Sequence, residues 1–132
     1  MSNTSTYGAT LLRVSLGALF LAHFSLKAFV FTPAGTAAFF GHLGLPPALA
    51  YLVMAGEFFG GLALIFGIYT RFAALALIPL LVGTIVTVHG HNGFFFNNPQ
   101  GGWEYPAFWS IALLVQALIG DGAFALRPYP NK

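Results

Sequence analysis

The fold is decided by residues 49–88, which read LAYLVMAGEFFGGLALIFGIYTRFAALALIPLLVGTIVTV. Glu57 and Arg71 are the only charged residues in this stretch, and Arg71 divides it into two apolar runs. Each run is close to the roughly 20 residues that an α-helix needs to cross the hydrocarbon core of a bilayer. Because only Tyr69, Thr70 and Arg71 separate the runs, they predict a tight hairpin of two membrane-spanning helices.

Two further apolar segments flank this hairpin, one on each side. The four spans are expected at about residues 9–31, 49–69, 72–88 and 105–126. All four are near membrane-spanning length, although the third and the fourth are short. The sequence therefore predicts an all-α fold, an integral membrane antiparallel four-helix bundle that forms a single domain over residues 1–132.

The composition also predicts a membrane protein. Charged residues make up 6% of the 132 residues and hydrophobic residues 58%. A soluble domain carries roughly 25% charged residues, so most of this surface should face lipid, and the lipid bilayer is the first expected partner. The five basic residues form no patch and the net charge is only +2, which argues against nucleic acid. The sequence contains no cysteine, which excludes disulfides, thiolate metal sites and iron–sulfur clusters.

The connections between the spans differ in kind. Residues 32–48 hold several prolines and glycines around an apolar patch at 37–40, which predicts a short interfacial helix between spans one and two. Residues 89–104 form a polar loop, and interfacial aromatic residues mark the start of span four. These aromatic residues are Trp103, Tyr105 and Trp109.

The basic residues predict the orientation. With four spans, Arg13, Arg71, Arg127 and Lys132 share one side of the membrane, and Lys27 is alone on the other. The positive-inside rule then places both termini in the cytoplasm. The expected location is a bacterial inner membrane, with an uncleaved first span and a multi-pass topology.

Five ionisable residues are expected in the outer half of the bundle: His23, Lys27, Glu57, His89 and Glu104. Glu57 is the most informative, because an isolated carboxylate in a span costs several kcal/mol and must face the bundle interior, pair or stay protonated. Candidate catalytic residues are Glu57, His23 and His89, for proton exchange and hydrogen bonding to a ligand. Lys27 and Glu104 are candidate ligand-binding residues. The alternative is a structural polar network that fixes the register of the helices.

Metal binding and haem binding have weaker support. His89 and His91 are two residues apart, whereas two ligands on one helix face need a spacing of three or four, so no metal site is predicted. His23 and His89 on different spans could ligate a b-type haem, but histidine pairs often serve packing instead. Gly56 and Gly60 form a Gly-x-x-x-Gly spacing, which predicts close packing of another helix beside Glu57.

Taken together, these motifs resemble those of the DoxX family. The resemblance covers almost the whole chain and is carried by Arg13, Gly17 and Lys27, by Glu57-Phe58-Phe59-Gly60-Gly61, by Gly67-Ile68-Tyr69-Thr70-Arg71, by His89 and Glu104, and by Gly120-Asp121-Gly122. It implies a four-helix inner-membrane protein. It also implies a link to membrane oxidoreductases, since the name-giving branch belongs with a quinone-reducing thiosulfate oxidoreductase, whereas a distant branch of the superfamily comprises cargo receptors.

Two functions of different classes follow. The first is an inner-membrane subunit of an oxidoreductase system that reacts with quinone through the intramembrane Glu and His residues, with electrons brought by a partner redox protein. The second is a non-enzymatic membrane scaffold or small-solute carrier, whose polar cluster is structural. Quinone is the one cofactor or substrate that the resemblance suggests, a homo-oligomer is an alternative to the redox partner, and the sequence leaves open whether the chain has enzymatic activity alone.

Overall fold

The computed structural model describes residues 3–95, 97–98 and 101–126, and these residues form helices and connecting loops without a β-strand. There are five α-helices in this part of the chain. They are α1 (Asn3–Ser25), α2 (Pro33–His42), α3 (Ala48–Phe66), α4 (Thr70–Thr87) and α5 (Glu104–Ile119). A π-helical turn, Leu26–Val30, continues α1, and a 3-10 turn, His89–His91, follows α4.

The predicted hairpin is formed by α3 and α4. Helix α3 is followed by Gly67, whose φ of 72° lies in the left-handed region that favours glycine, and the amide of Ile68 donates to the carbonyl of Ala63. Helix α4 begins three residues later, at Thr70, and continues through Pro79. The short turn that the sequence predicted is therefore confirmed.

A short helix also lies in the segment where one was expected between the first two spans. Helix α2 begins with Pro33, and the hydroxyl of the preceding Thr32 accepts a hydrogen bond from the amide of Gly35 at 3.1 Å. Proline is favoured at a first helical position because its missing N–H would have no helical partner there.

The fourth span was predicted from about residue 105 to 119 with a possible extension to 126, and its helix, α5, ends at Ile119. The extension to residue 126 was wrong for the helix. Gly120 and Gly122 have φ values of 90° and 73°, and residues 120–126 turn back over the end of the bundle. The apolar residues of this stretch therefore lie in a return segment, residues 120–126, and not in a further helical turn.

The helices pack as two close pairs, α1 with α3 and α4 with α5, and α3 also contacts α4. Gly17 of α1 and Gly61 of α3 lie in close contact, because a Cβ added at Gly17 would lie 2.6 Å from the carbonyl oxygen of Gly61. A cluster of buried apolar side chains fills the space between the helices. Its largest members are Leu16, Phe20, Leu64, Leu77, Leu81, Trp109 and Leu113.

Arg13 connects α1 to α3 and to the return segment at one end of the bundle. Only 1% of this residue is exposed, and its Nη1 donates to the carbonyl oxygens of Leu64 and Ile65 at 2.9 and 2.8 Å. Its Nε and Nη2 donate to the carbonyl oxygens of Asp121 and Ala123 at 2.9 and 2.8 Å. The guanidinium group thus satisfies carbonyls at the end of α3 and in the return segment at the same time.

The return segment has two further attachments at this end. The amide of Ala123 donates to the hydroxyl of Thr10 at 2.6 Å, and the amide of Leu126 donates to the carbonyl of Phe66 at 2.9 Å. Residues 127–132, which include the predicted cytoplasmic residues Arg127 and Lys132, lie outside the described residues.

Three helical stretches of the described chain are long and apolar enough to cross a membrane, at Thr4–Val30, Ala48–Phe66 and Thr70–His91. Helix α5 is apolar but has only 16 residues. The described fold is thus all-helical and has the helices of a multi-pass membrane protein.

Candidate functional site

Lys27 and Glu57 form an ion pair between the end of the first helix and the middle of α3. The Nζ of Lys27 lies 2.9 Å from Oε2 of Glu57, and the two side chains are 20% and 9% exposed. The other carboxylate oxygen, Oε1, is buried and accepts no hydrogen bond from the described residues. Glu57 is therefore paired through one oxygen only, and the second oxygen could accept one more donor.

The π-helical turn presents Lys27 to α3. Within this turn the amide of Phe31 donates to the carbonyl of Leu26, five residues back, at 2.9 Å. The hydroxyl of Thr36 in α2 lies 3.1 Å from the carbonyl oxygen of Lys27 and 2.9 Å from that of Thr32. Such turns occur frequently at functional sites, because an added residue redirects the side chains that follow it.

Small residues around Glu57 set the helix contacts, as the sequence predicted. Gly56 and Gly60 face leucine side chains of α4, while Gly61 faces Gly17 of α1. A Cβ at Gly60 would lie 2.9 Å from a leucine side chain, and one at Gly61 would lie 3.1 Å from the backbone of Gly17. Glu57 is thus held on a helix that approaches both neighbours closely.

His23 lies one helical turn before Lys27. Its Nδ1 is 3.0 Å from the carbonyl oxygen of Leu19, and its ring centroid is 4.8 Å from that of Trp109. Because a carbonyl oxygen can only accept, Nδ1 carries the hydrogen in this contact. The other nitrogen, Nε2, then has a free lone pair when the imidazole is neutral.

A partly open groove between α1 and α5 lies beside His23. Its volume is about 310 Å³ and its lining is almost entirely apolar. The lining residues are Leu12, Ser15, Leu16, Leu19 and His23 from α1, and Tyr105, Phe108, Trp109 and Ala112 from α5. Apolar walls with few polar groups are typical of sites for small organic ligands.

His89 belongs to a second polar contact, with Tyr105. The Nδ1 of His89 lies 2.9 Å from the carbonyl oxygen of Gly101, and its Nε2 lies 3.0 Å from the hydroxyl of Tyr105. Since Gly101 can only accept, Nδ1 carries the hydrogen, and Nε2 of the neutral ring accepts from the Tyr105 hydroxyl. His89 thereby orients a tyrosine that lines the groove.

Four of the predicted site residues belong to two described sets of contacts. Lys27 pairs with Glu57, and His23 lies one helical turn before Lys27, whereas His89 hydrogen-bonds to Tyr105 and Gly101. Glu104 begins α5, where its backbone amide donates to the carbonyl of Phe94 at 3.0 Å and its side chain is half-buried. His91 is exposed, and no group of three metal-ligating side chains occurs in the described part of the chain.

Two residues of the groove were not predicted as site residues. Tyr105 and Trp109 were interpreted only as interfacial aromatics, but both line the groove, and Trp109 is 6% exposed. They are four apart and hence lie on one face of α5. That spacing was the available signal, but it could not show that α1 lies opposite.

These features define a small helical membrane protein with a half-paired carboxylate on α3 and an apolar groove between α1 and α5. The chain belongs to the DoxX family, whose model matches residues 8–90 and so extends from the second turn of α1 to the 3-10 turn after α4. The resemblance predicted from the motifs is thus confirmed, while the α5 wall of the groove lies beyond the matched residues.

Two relatives extend this finding. The chain is 33% identical over 132 residues to a Bacillus subtilis protein named "Putative oxidoreductase CatD", covering 100% of this chain and 93% of that protein. It is 30% identical over 87 residues to an uncharacterized protein of Haemophilus influenzae, covering 62% of this chain and 56% of the relative. No solved structure matches the chain at a significant level.

Proposed function

We propose that this chain is a membrane subunit of an oxidoreductase system and that it reacts with a quinone through Glu57 and His23. One observation carries the proposal. His23 lines an apolar groove and lies one helical turn before Lys27, which pairs with the carboxylate of Glu57. A quinone site needs an apolar slot that lipid-soluble molecules can enter and groups that exchange protons there. Family membership and the oxidoreductase name of the B. subtilis relative support the redox class.

The reaction requires both electrons and protons. A quinone takes up two electrons and two protons to become a quinol, and the reverse step releases them. The sequence contains no cysteine to hold an iron–sulfur cluster, so we assign the electrons to a partner redox protein with a flavin, haem or iron–sulfur centre. His23 Nε2 accepts a proton from a quinol hydroxyl or, when protonated, donates to a quinone carbonyl. Glu57 exchanges the second proton through its unpaired oxygen.

The placement in the membrane is part of the proposal. We infer an antiparallel four-helix bundle in a bacterial inner membrane, with α2 at the interface and both termini cytoplasmic. Support comes from three membrane-length helices and from Arg71 lying on the same end as Arg13. Reporter fusions after Lys132 should behave as cytoplasmic and fusions within residues 92–98 as external. A C-terminal fusion that behaves as external would reverse the orientation.

Quinone binding can be tested directly on the full chain. The protein should be extracted from membranes in mild detergent, and the copurifying quinones and proteins should be identified. We expect near-stoichiometric quinone and a copurifying redox protein. His23→Phe should lower the quinone content, because it removes the ring nitrogen while keeping an aromatic side chain against Trp109. Wild-type protein that contains no quinone and binds none on titration would contradict the proposal.

A non-enzymatic role is the second candidate, and the hydrogen bonds of His89 favour it. Both ring nitrogens of His89 are engaged by the loop and by Tyr105, as they would be in a purely structural network. A scaffold or small-solute carrier would copurify without quinone and would leave the redox state of the membrane quinones unchanged when its gene is deleted. A partner identified in the same pull-down, or a homo-oligomer, would then define the scaffold.

A further inference from the structure

We propose that Glu57 exchanges protons with water at one end of the bundle only, along the side chain of Lys27, and that the other end is closed to it. The α2 end of the bundle carries α2 and the loop between α4 and α5, and the Arg13 end carries the return segment. The inference rests on the proposed function, to which it adds the side of the membrane where Glu57 takes up and releases its proton.

The position of Glu57 along α3 does not by itself favour either end. Helix α3 spans Ala48–Phe66, so Glu57 is nine residues from the first residue and nine from the last. Nine residues correspond to about 14 Å along a helix. The two halves of the bundle on either side of Glu57 are therefore of similar length, and the residues that fill them decide the path of a proton.

The half toward the α2 end contains a polar contact that reaches the surface. The Nζ of Lys27 lies 2.9 Å from Oε2 of Glu57, and the Lys27 side chain is 20% exposed. Lys27 is three residues from the end of the membrane-length stretch Thr4–Val30, or about 4.5 Å along the helix. An ammonium group so close to the end of a span extends toward headgroups and water, so it links the buried carboxylate to the aqueous boundary.

Helix α2 holds this contact in place. The hydroxyl of Thr36 donates to the carbonyl oxygen of Lys27 at 3.1 Å, and Thr36 is only 4% exposed. The backbone of the π-helical turn is thus fixed by α2, while the Lys27 side chain stays partly exposed beside Glu57.

The half toward the Arg13 end is filled by apolar side chains from four helices. They belong to one buried cluster, are each 3% exposed or less, and are called the apolar layer: Leu16 of α1, Leu64 of α3, Ala74 of α4 and Leu113 of α5. Leu64 follows Glu57 by about two helical turns, so the layer lies between Glu57 and the end of α3. A hydrated proton that enters such a layer loses its hydration, so the layer opposes proton transfer.

Buried polar side chains close the Arg13 end a second time, beyond the apolar layer. Arg13 is 1% exposed, and four of its N–H groups donate to carbonyl oxygens. Gln116 is 0% exposed, and its Nε2 donates to the carbonyl oxygens of Ala9 and Gly120 at 3.2 and 2.8 Å. Arginine stays protonated, and an amide held in this way moves only by breaking its hydrogen bonds, so neither group relays a proton.

The proposed reaction thereby gains a direction. When a quinol is oxidised, two electrons pass to the partner redox protein and two protons leave the ring oxygens. The proton that Glu57 accepts then leaves at the α2 end, which is the outer side in the proposed orientation. In the reverse reaction Glu57 takes up its proton from the same side.

The test uses the absence of cysteine from the sequence, because an introduced thiol is then the only one in the chain. Glu57→Cys is treated in right-side-out and inside-out membrane vesicles with MTSET, a permanently charged thiol reagent that does not cross the bilayer. Thr4→Cys and His91→Cys, at exposed positions of the Arg13 end and the α2 end, show which end each vesicle type presents. We expect modification of Glu57→Cys to be at least about tenfold faster from the α2 end, because the apolar layer excludes a charged reagent. Equal rates from the two ends, or a faster rate from the Arg13 end, would overturn the inference.

A second measurement on the wild-type chain covers the case in which Glu57→Cys does not fold. A carbodiimide with a trimethylammonium group activates a carboxyl group, and Nζ of Lys27, 2.9 Å away, then displaces the urea and forms an amide with Glu57. Mass spectrometry detects this cross-link as the loss of a water molecule, and Lys27→Gln is the control that cannot form it. We expect the cross-link when the reagent is applied at the α2 end. A cross-link formed from the Arg13 end, or from neither end, would overturn the inference.

A variant of the apolar layer tests what closes the Arg13 end. Leu64→Ala leaves a gap between the helices, so it should raise the rate at which MTSET modifies Glu57→Cys from the Arg13 end. Met54→Ala is the matched control, since Met54 is also buried on α3 but lies on the α2 side of Glu57, and it should leave that rate unchanged. An unchanged rate in folded Leu64→Ala protein would overturn the role of the layer.

These measurements use no quinone, which separates the two proposals. A chain that binds no quinone but reacts from the α2 end alone would overturn the proposed function and leave the one-sided access of Glu57 in place. A chain that binds quinone but reacts equally from the Arg13 end would overturn the one-sided access and leave the proposed function in place.

Discussion

The chain holds two basic residues of the first helix, Arg13 and Lys27, in different ways. Arg13 is 1% exposed and donates four hydrogen bonds, all of them to backbone carbonyl oxygens. Lys27 is partly exposed and is paired with Glu57, which leaves one carboxylate oxygen without a hydrogen bond from the described residues. The first arrangement uses four of the five N–H groups of the guanidinium side chain to join α1 to the end of α3 and to the return segment. The second leaves Glu57 with a carboxylate oxygen that can still accept a proton or a hydrogen bond, and a site of proton exchange requires such a group.

Substituting each of these basic residues by the other basic residue should give the largest difference in stability. Arg13→Lys should lower the melting temperature in detergent by about 10 °C or more, because one ammonium group cannot reach the carbonyls of Leu64, Ile65 and Ala123 together, and each orphaned buried carbonyl costs roughly 1–3 kcal/mol. Lys27→Arg should have a small effect, since arginine can also pair with Glu57. Equal melting temperatures for the two variants would show that Arg13 is not the structural anchor.

Two glycines, Gly17 and Gly60, lie at helix contacts of different closeness. Gly17→Ala should destabilise the fold by about 1–3 kcal/mol, because its Cβ would lie 2.6 Å from the backbone oxygen of Gly61. Gly60→Ala should cost less, since the nearest atoms belong to a flexible side chain of Leu77. Gly60→Leu should reduce the folded yield, because leucine is too large for this contact.

The matched control for this series is Gly8→Ala. Gly8 is also in α1, and a Cβ there meets nothing within 4 Å. This substitution should be neutral or stabilising by up to about 1 kcal/mol, because alanine has the higher helix propensity. Thermal unfolding of all four variants in one detergent gives the ranking. A Gly17→Ala protein as stable as Gly8→Ala would contradict the α1–α3 contact.

A double-mutant cycle measures the coupling free energy of the Lys27–Glu57 pair. Lys27→Met should destabilise the protein by about 1–3 kcal/mol, because it leaves a buried carboxylate without its counter-charge. Glu57→Gln should have little effect alone, since Lys27 is partly exposed and can extend toward water. Adding Glu57→Gln to Lys27→Met should recover most of the lost stability. Additive effects of the two substitutions would indicate that the pair contributes no coupling.

The smallest effect is expected at the loop between α4 and α5. His89→Ala removes the contacts with Gly101 and Tyr105 and should destabilise the protein by about 1 kcal/mol. His91→Ala, at an exposed neighbouring position, should change stability by less than about 0.5 kcal/mol. Limited proteolysis of residues 92–103 measures the anchoring of the loop. Equal cleavage rates in the two variants would show that His89 does not hold it.

Much of the fold could be predicted from hydropathy and turn chemistry. The apolar runs and the three-residue separation at Tyr69–Arg71 located α3 and α4 to within a few residues. Whether the fourth span continues from residue 119 to 126 could not be decided in this way, because residues 120–126 are held by Arg13 and Thr10 through long-range hydrogen bonds. Apolar composition alone cannot distinguish a further helical turn from a segment that packs over the bundle.

The candidate site was only partly predictable for the same reason. The spacing of His23 and Lys27 places both on one helix face, and the cost of an isolated carboxylate indicated that Glu57 needs a partner. Which cation pairs with it depends on the π-helical turn at residues 26–30, for which the sequence has no clear signal. The role of Arg13 was underestimated, although Ala9, Arg13, Leu16 and Phe20 form one buried stripe at helical spacing.

The most direct test of proton exchange at Glu57 is a paired measurement on Glu57→Gln and wild type. It compares the melting temperature with the rate of quinone–quinol turnover in isolated membranes that contain the redox partner. Glutamine is nearly isosteric and neutral, so the melting temperature should change by no more than a few degrees, while turnover should fall by about 100-fold or more, the usual contribution of a general acid or base. Glu57→Ala should reduce both, because it also leaves a void and an unpaired lysine. Full turnover in Glu57→Gln with normal stability would contradict proton exchange at this residue and would favour the non-enzymatic role.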